Sequence, residues 1–168
     1  MKHLIAYITS TYNTKKKRRV PTTETVYIGA DHAGFALKEH LKKFLHSKGY
    51  SVKDSGAHKL VKTDDYPVYG AKVAKAVRKE GKGILICGSA EGICIVANKF
   101  KKIRAVAVWT LQNAKLSRQH NDANVLCLSG WELTKKKAEQ ITLTWLKTPF
   151  SGEPRHLRRL KEIQRIER

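Results

Sequence analysis

Apolar and polar residues follow two different periods along the chain from Thr25 onward. Short runs rich in apolar and β-branched residues, such as TVYIG, GILIC and NVLCLSG, predict strands. Between these runs, apolar residues recur at spacings of three and four, which predicts amphipathic helices. The apolar faces of these helices consist of Leu37, Leu41, Phe44 and Leu45; Val73, Ala76 and Val77; Ala138, Ile141 and Trp145; and Leu157, Leu160, Ile163 and Ile166.

Five predicted strands alternate with helices, which indicates a parallel sheet covered on both faces. The run GILIC is apolar at every position, as expected of a parallel strand buried on both sides. Right-handed crossovers would wind the helices onto both faces of the sheet. We therefore predict a doubly wound α/β sandwich, formed by one domain over residues 25–168.

Residues 1–24 differ from this pattern and predict a basic, flexible N-terminal extension. A short apolar patch is followed by the run Lys15 to Arg19 and by Pro21. The patch is short, is broken by polar residues and has no A-x-A-like cleavage site, which argues against a secretory signal. A nucleic-acid-binding arm, a targeting patch and a misassigned start remain alternatives for this segment.

Composition narrows the classes of partner and compartment. Lys and Arg number 34 against 14 Asp and Glu, a formal charge of +20 that attracts nucleic acids and phosphorylated metabolites. The lysines are scattered over several helices without an aromatic-rich RNA-binding signature, so a solvated basic surface is favoured over a nucleic-acid partner. No apolar run is long enough for a membrane helix. Three cysteines without CxxC spacing indicate a reducing cytoplasm rather than a disulfide framework or zinc ribbon.

Chemically useful residues follow two of the predicted strands. Ligands of open parallel sheets bind beyond the carboxyl ends of the strands, where Asp31 and Cys87 are expected. The loop CGSAEG leads from a strand into a helix, whose free N–H groups suit a phosphate or an oxyanion. Cys87 could there have a lowered pKa and act as a base or nucleophile. The alternative is an inert core cysteine, and the loop matches neither the Walker motif nor GxGxxG.

Two further groups are candidates near the C-terminal half of the chain. His120 and Asn121 stand at the end of a predicted helix, where a histidine can equally be a surface or capping residue. Arg155 and Arg159 are four residues apart and share a helix face, which suits a phosphate. A solvated basic helix explains the two arginines equally well.

Five collinear segments within residues 25–165 resemble the type B ribose-5-phosphate isomerases, a family that includes galactose-6-phosphate and allose-6-phosphate isomerases. They are GADHAGFALKEHLKKFL, TDDYPVYGAKVAKAV, GILICGSAEGICIVANKFKKIRAV, LSRQHNDANVLCL and RHLRRL. The resemblance implies a Rossmann-like α/β/α fold and a homodimer, or a tetramer, with active sites at the subunit interface. It implies interconversion of ribose 5-phosphate and ribulose 5-phosphate, in the pentose phosphate pathway, without a metal or other cofactor.

The resemblance also implies a role for each candidate residue. Cys87 would be the base that moves a proton between C1 and C2, and Ser89 would help to stabilise the enediolate. The loop of Gly88, Ala90, Glu91 and Gly92 would bind the enediolate. His120, with Asp31, would open the sugar ring, and Asn121 would bind the sugar. The phosphate would be bound by His32, Arg155 and Arg159.

Four positions depart from the family pattern. Ala90 stands where a glycine is usual, so it limits a positive φ. Glu91 raises the pKa of Cys87, points to solvent or helps as a base. Trp131 replaces a phosphate-binding arginine, and Gln112 replaces an aromatic residue. These changes leave two alternatives open: an isomerase of another sugar phosphate, such as a hexose 6-phosphate, and a non-catalytic member that binds polyanions.

Overall fold

The computed structural model describes residues 24–167, which form a five-stranded parallel sheet and six helices. The predicted extension therefore lies outside the described residues, apart from Glu24. The elements are β1 (Thr25–Ala30), α1 (Phe35–Ser47), β2 (Ser51–Asp54), α2 (Tyr66–Val77), β3 (Lys82–Cys87), α3 (Glu91–Ala97), β4 (Ala105–Ala107), α4 (Leu111–Asn121), β5 (Val125–Ser129), α5 (Lys135–Lys147) and α6 (Pro154–Ile166).

The strand order is β2-β1-β3-β5-β4, and all neighbouring strands are parallel. The chain moves outward from β1 to β2 and then returns to the other side of β1 with β3, so the winding direction reverses between β1 and β3. In the register of the sheet, Ala30 lies beside Ile86, and Cys87 lies beside Ser129. The strand ends that precede Asp31 and Gly88 are therefore neighbours. The predicted doubly wound α/β sandwich is confirmed.

Alternation along the strands divides the core into two layers. In β1, Val26 and Ile28 pack towards α1 and α5, whereas Tyr27 belongs to the layer of α2 and α3. In β3, Ile84 and Ile86 join the first layer, and Leu85 joins the second. Burial on both faces explains why β3 is apolar throughout.

Local signals fix several helix ends. Gly49 has φ 85° immediately after the end of α1, which is the stop predicted from the sequence. The side chain of Thr110 accepts a hydrogen bond from the N–H of Asn113 at the start of α4. Thr134 does the same for Lys137 at the start of α5.

Two details of the core differ from the sequence prediction. The expected strand IRAVAVW is reduced to the three residues Ala105–Ala107. The apolar stripe of α6 is largely uncovered, because Leu157, Ile163 and Ile166 are 44%, 43% and 77% exposed, and only Leu160 is half-buried. The buried residue of α6 is instead His156. This helix therefore presents much of its apolar face to solvent in the single chain.

Candidate active site

A cleft of about 450 Å³ opens at the reversal point of the sheet, beyond the carboxyl ends of β1 and β3. This is the place where open α/β sheets bind their ligands. It contains seven residues predicted from the sequence: Asp31, His32, Cys87, Gly88, Ser89, Glu91 and Gly92. Ala33, Tyr66, Ile95 and Trp131 complete its lining.

Cys87 ends β3 with its side chain almost entirely buried, at 4% exposure. Burial raises the pKa of its thiol, and so does the negative charge of Asp31. Hydrogen bonds from the N–H groups of Ile93, Ala90 and Ser89 lower the pKa. The net direction is upward, so the lowered pKa expected from the helix start is wrong. Three backbone amides nevertheless surround the sulfur, and they favour its charged form over a neutral thiol.

Glu91 is exposed on the first turn of α3. The neighbouring charge that raises the pKa of Cys87 is that of Asp31. Of the three alternatives for Glu91, a carboxylate directed to solvent is therefore the one the structure favours.

The loop after Cys87 has an unusual backbone conformation at Ala90. This residue is fully buried and has φ 71° and ψ −20°, in the left-handed region. Its carbonyl accepts a hydrogen bond from the N–H of Cys94, and the hydroxyl of Ser89 accepts one from Glu91. The positive φ that the loop was expected to require is present, and it is held by a residue with a Cβ.

Asp31 and His32 form the opposite side of the cleft. Asp31 is buried, and its Oδ1 accepts a hydrogen bond of 3.1 Å from the N–H of Gly34. Burial raises the pKa of this carboxyl above its usual value. The ring Nδ1 and the backbone N–H of His32 both lie 2.8 Å from Oδ1 of Asp64. This hydrogen bond raises the pKa of His32, so the ring stays cationic to higher pH at the edge of the cleft.

Sequence reasoning missed three of the lining residues, Ala33, Tyr66 and Ile95, and the partner of His32. Tyr66 lies over Gly92, where an added Cβ would be 2.6 Å from Cζ of the ring. Asp64 and Tyr66 belong to the motif TDDYP, and the proline just inside α2 was a usable signal for a helix start beside them. Ile95 could have been found from its helical spacing of four from Glu91. Ala33 offered no chemical signal.

Five predicted site residues do not line this cleft in the single chain. One is the fully buried Ala90, and the other four are His120, Asn121, Arg155 and Arg159. The ring of His120 stacks on that of His156, with 4.3 Å between centroids. Burial and the neighbouring His120 lower the pKa of His156, whose Nδ1 lies 2.9 Å from the hydroxyl of Ser151. Asn121, Arg155 and Arg159 are all exposed, and Arg155 pairs with Glu153 at 2.8 Å.

Two further kinds of site were sought over residues 24–167. No cluster of three or more His, Cys, Asp or Glu side chains is arranged to bind a metal ion there. None of the helices in that range has the length and apolar character needed to cross a membrane.

Comparison with known proteins identifies relatives over the same range. A family model described as Ribose/Galactose Isomerase matches residues 26–163. The ribose-5-phosphate isomerase B of Escherichia coli is 42% identical over 144 residues, which cover 84% of this chain and 95% of that protein. The probable ribose-5-phosphate isomerase B of Mycoplasma genitalium is 40% identical, over 85% of this chain and 95% of its own length.

Solved structures agree with this similarity. The crystal structure of the Mycoplasma genitalium enzyme with bound ribulose-5-phosphate superposes with a TM-score of 0.83 at 39% identity, covering 86% of this chain and 97% of that one. The Clostridium thermocellum ribose-5-phosphate isomerase B gives 0.82 at 43% identity, covering 85% and 97%. The resemblance predicted from the sequence motifs is therefore confirmed, and the chain belongs to the ribose/galactose isomerase family of enzymes.

Proposed function

We propose that this protein interconverts ribose 5-phosphate and ribulose 5-phosphate through an enediolate, with Cys87 as the base. The observation that carries the proposal is the position of its sulfur, buried at the end of β3 and surrounded by three backbone amides. Relatives of similar length are named for this reaction, and one was solved with ribulose-5-phosphate bound. The pentose phosphate pathway and the cytoplasm are the setting we propose for it.

The proposed reaction moves one proton from C2 to C1 and one from the C2 hydroxyl to the C1 oxygen, which shifts the carbonyl group from C1 to C2. The thiolate of Cys87 removes the proton from C2 of the open-chain aldose, and the electron pair forms the C1–C2 double bond of the enediolate. The loop from Gly88 to Gly92, with Ser89, stabilises the negative oxygen through its N–H and O–H groups. The proton is then returned to C1. The C2 hydroxyl loses its proton as the carbonyl forms at C2, and the C1 oxygen gains one to become a hydroxyl. The ketose phosphate has the same atoms as the substrate.

Cation placement supports a phosphate-bearing substrate. Asp64 holds His32 at the cleft edge and raises its pKa, so the ring keeps its positive charge to higher pH than an isolated histidine. A dianionic phosphate would pair with this imidazolium through charge-assisted hydrogen bonds. We assign the phosphate end of the substrate to the side of the cleft formed by His32.

A second copy of the chain would supply the four predicted residues of α4 and α6 that lie outside the cleft. His120 and Asn121 end α4, and Arg155 and Arg159 lie on α6, beside the uncovered apolar stripe of that helix. Pairing two copies through α6 would remove this apolar stripe from water, which favours association. We propose a homodimer in which the partner's His120 opens the sugar ring and the partner's Arg155 and Arg159 bind the phosphate.

Trp131 favours one second candidate, isomerisation of another sugar phosphate such as a hexose 6-phosphate. It lines the cleft at the position where the family usually has a phosphate-binding arginine. A neutral indole cannot replace the charge of a guanidinium, so the preferred sugar or the position of its phosphate can differ from that of relatives.

Conversion of ribose 5-phosphate by the purified full chain tests the proposal. We expect Cys87→Ser to lower kcat by roughly 100- to 10,000-fold, because a serine hydroxyl is a far weaker base. Cys94→Ser is the matched control, since Cys94 is a half-buried cysteine of α3 outside the cleft. Equal activity of wild type and Cys87→Ser would remove Cys87 from the chemistry. A folded wild type that converts only hexose 6-phosphates would favour the second candidate, and inactivity on all sugar phosphates would contradict both.

A further inference from the structure

The backbone of Gly130 and Trp131 is fixed between the loop that follows β1 and the loop that follows β3. The N–H of Gly130 donates to the carbonyl of Cys87 at 2.8 Å, and the N–H of Trp131 donates to that of Gly88 at 3.3 Å. The hydroxyl of Ser129 also donates to the Gly88 carbonyl, at 2.7 Å. On its other side, a Cβ added to Gly130 would lie 2.4 Å from the carbonyl oxygen of Ala33. The position of this residue relative to Cys87 is therefore built into the fold.

The indole of Trp131 lies against Gly88 but is otherwise uncovered. A Cβ added to Gly88 would lie 2.4 Å from Cζ2, 2.5 Å from Cε2 and 2.7 Å from Cη2 of the ring. The glycine thus leaves room for the six-membered ring beside the residue that follows Cys87. The side chain is nevertheless 75% exposed, although it lines the cleft. A large aromatic ring that is fixed at its base and open towards a cleft is suited to contact a ligand.

The chemistry of the ring limits what it can contact. An indole has no positive charge, so it cannot pair with a phosphate as His32 can. It offers a flat apolar face and one N–H donor, which suit the C–H groups and hydroxyls of a sugar chain. Gly130 lies against Ala33, the residue after His32. Because the neighbouring indole of Trp131 cannot pair with the phosphate, the carbon chain between that phosphate and Cys87 is the part of the substrate left for it.

We propose that Trp131 is a substrate-binding residue whose indole packs on the carbon chain of the sugar phosphate held at Cys87, and that it helps to select the sugar. This inference rests on the proposed isomerase function and names the side of the cleft that recognises the sugar rather than its phosphate. Tyr66, over Gly92, and Trp131, over Gly88, then stand at the two ends of the same loop.

Tryptophan fluorescence of the full chain gives a test that does not depend on catalysis. Of the three tryptophans, Trp145 is fully buried and Trp109 is half-buried outside the cleft. We expect ribose 5-phosphate to change the emission saturably in the wild type and in the control Trp109→Phe. The change should disappear in Trp131→Phe, and inorganic phosphate at equal concentration should not reproduce it. A full signal in Trp131→Phe would overturn the inference.

Kinetics provide the second measurement. Trp131→Ala should raise KM for ribose 5-phosphate about tenfold, the effect of losing roughly 55 Å² of apolar contact, with kcat changed less than KM. Trp131→Phe should restore most of the affinity because it retains an aromatic face. An unchanged KM in Trp131→Ala would overturn the inference and leave the isomerase function intact. So would a loss of activity that follows dissociation of the oligomer, as measured by size-exclusion chromatography. A folded wild type that neither binds nor converts ribose 5-phosphate would overturn both.

Discussion

Replacing Ala90 by glycine tests whether the loop after Cys87 stores backbone strain. Ala90 is fully buried with φ 71°, a conformation that costs an L-residue about 1–2 kcal/mol. Glycine avoids this cost but loses a buried methyl group, worth about 0.8 kcal/mol. It also loses more conformational freedom on folding, roughly 0.5–1 kcal/mol. The opposing contributions nearly cancel, so we expect Ala90→Gly to leave the free energy of unfolding almost unchanged.

Ala74→Gly is the matched control for this prediction. Ala74 is fully buried in α2 and belongs to the same core cluster as Ala90, but it lies within a right-handed helix. It loses the same methyl group without relief of strain, so its free energy of unfolding should fall by about 1.3–1.8 kcal/mol.

Equilibrium urea unfolding of both variants measures the difference. The two free energies of unfolding should differ by about 1–2 kcal/mol, which is the strain assigned to Ala90. Equal losses in the two variants would refute the reasoning, because the left-handed backbone at Ala90 would then cost nothing.

Three other predictions concern charge and assembly. Because burial raises the pKa of Cys87, kcat/KM should keep rising with pH through the ordinary thiol range; a plateau already reached at pH 7 would contradict this. Asp64→Asn replaces the carboxylate whose hydrogen bond raises the pKa of His32 with a neutral amide, so the ring loses its charge at lower pH. KM should then rise at a lower pH than in the wild type, and identical KM profiles would count against the assigned phosphate contact. In the wild type this pair stabilises the fold below the unfolded histidine pKa, and its contribution is lost as pH rises through the folded pKa. In Asp64→Asn that contribution should vanish. Ile163→Asp should convert the proposed dimer into a folded, inactive monomer, as measured by light scattering. Lys43→Asp, at an exposed position of α1, is the charge control. A dimeric Ile163→Asp variant would refute pairing through α6.

The fold could be predicted because its signals are local. The apolar run of β3, the helical spacing of Leu37 and Leu41, and the glycine stop at Gly49 each depend on neighbouring residues alone. Parallel order then followed from the alternation of strands and helices, and it placed Asp31 and Cys87 at one edge of the sheet. The site was predictable to the extent that it lies at that edge.

Other features depend on contacts between distant segments, which periodicity does not encode. Lys38 occupies a helical position that reads as polar, yet it is fully buried, since Asp54 reaches its Nζ at 2.6 Å from β2. Asp64 reaches His32 from 32 positions away along the chain. The pKa of Cys87 was predicted in the wrong direction because the extent of its burial is set by tertiary packing rather than by the helix start.

Proton NMR of ribose 5-phosphate incubated with the full chain is the most direct test of the central claim, that this cleft isomerises the sugar through Cys87. We expect the wild type to remove the proton signal at C2 of ribose 5-phosphate as ribulose 5-phosphate appears, and the folded Cys87→Ser variant to leave that proton in place. A wild type that leaves the C2 proton untouched, or a Cys87→Ser variant that removes it at the same rate, would contradict the claim.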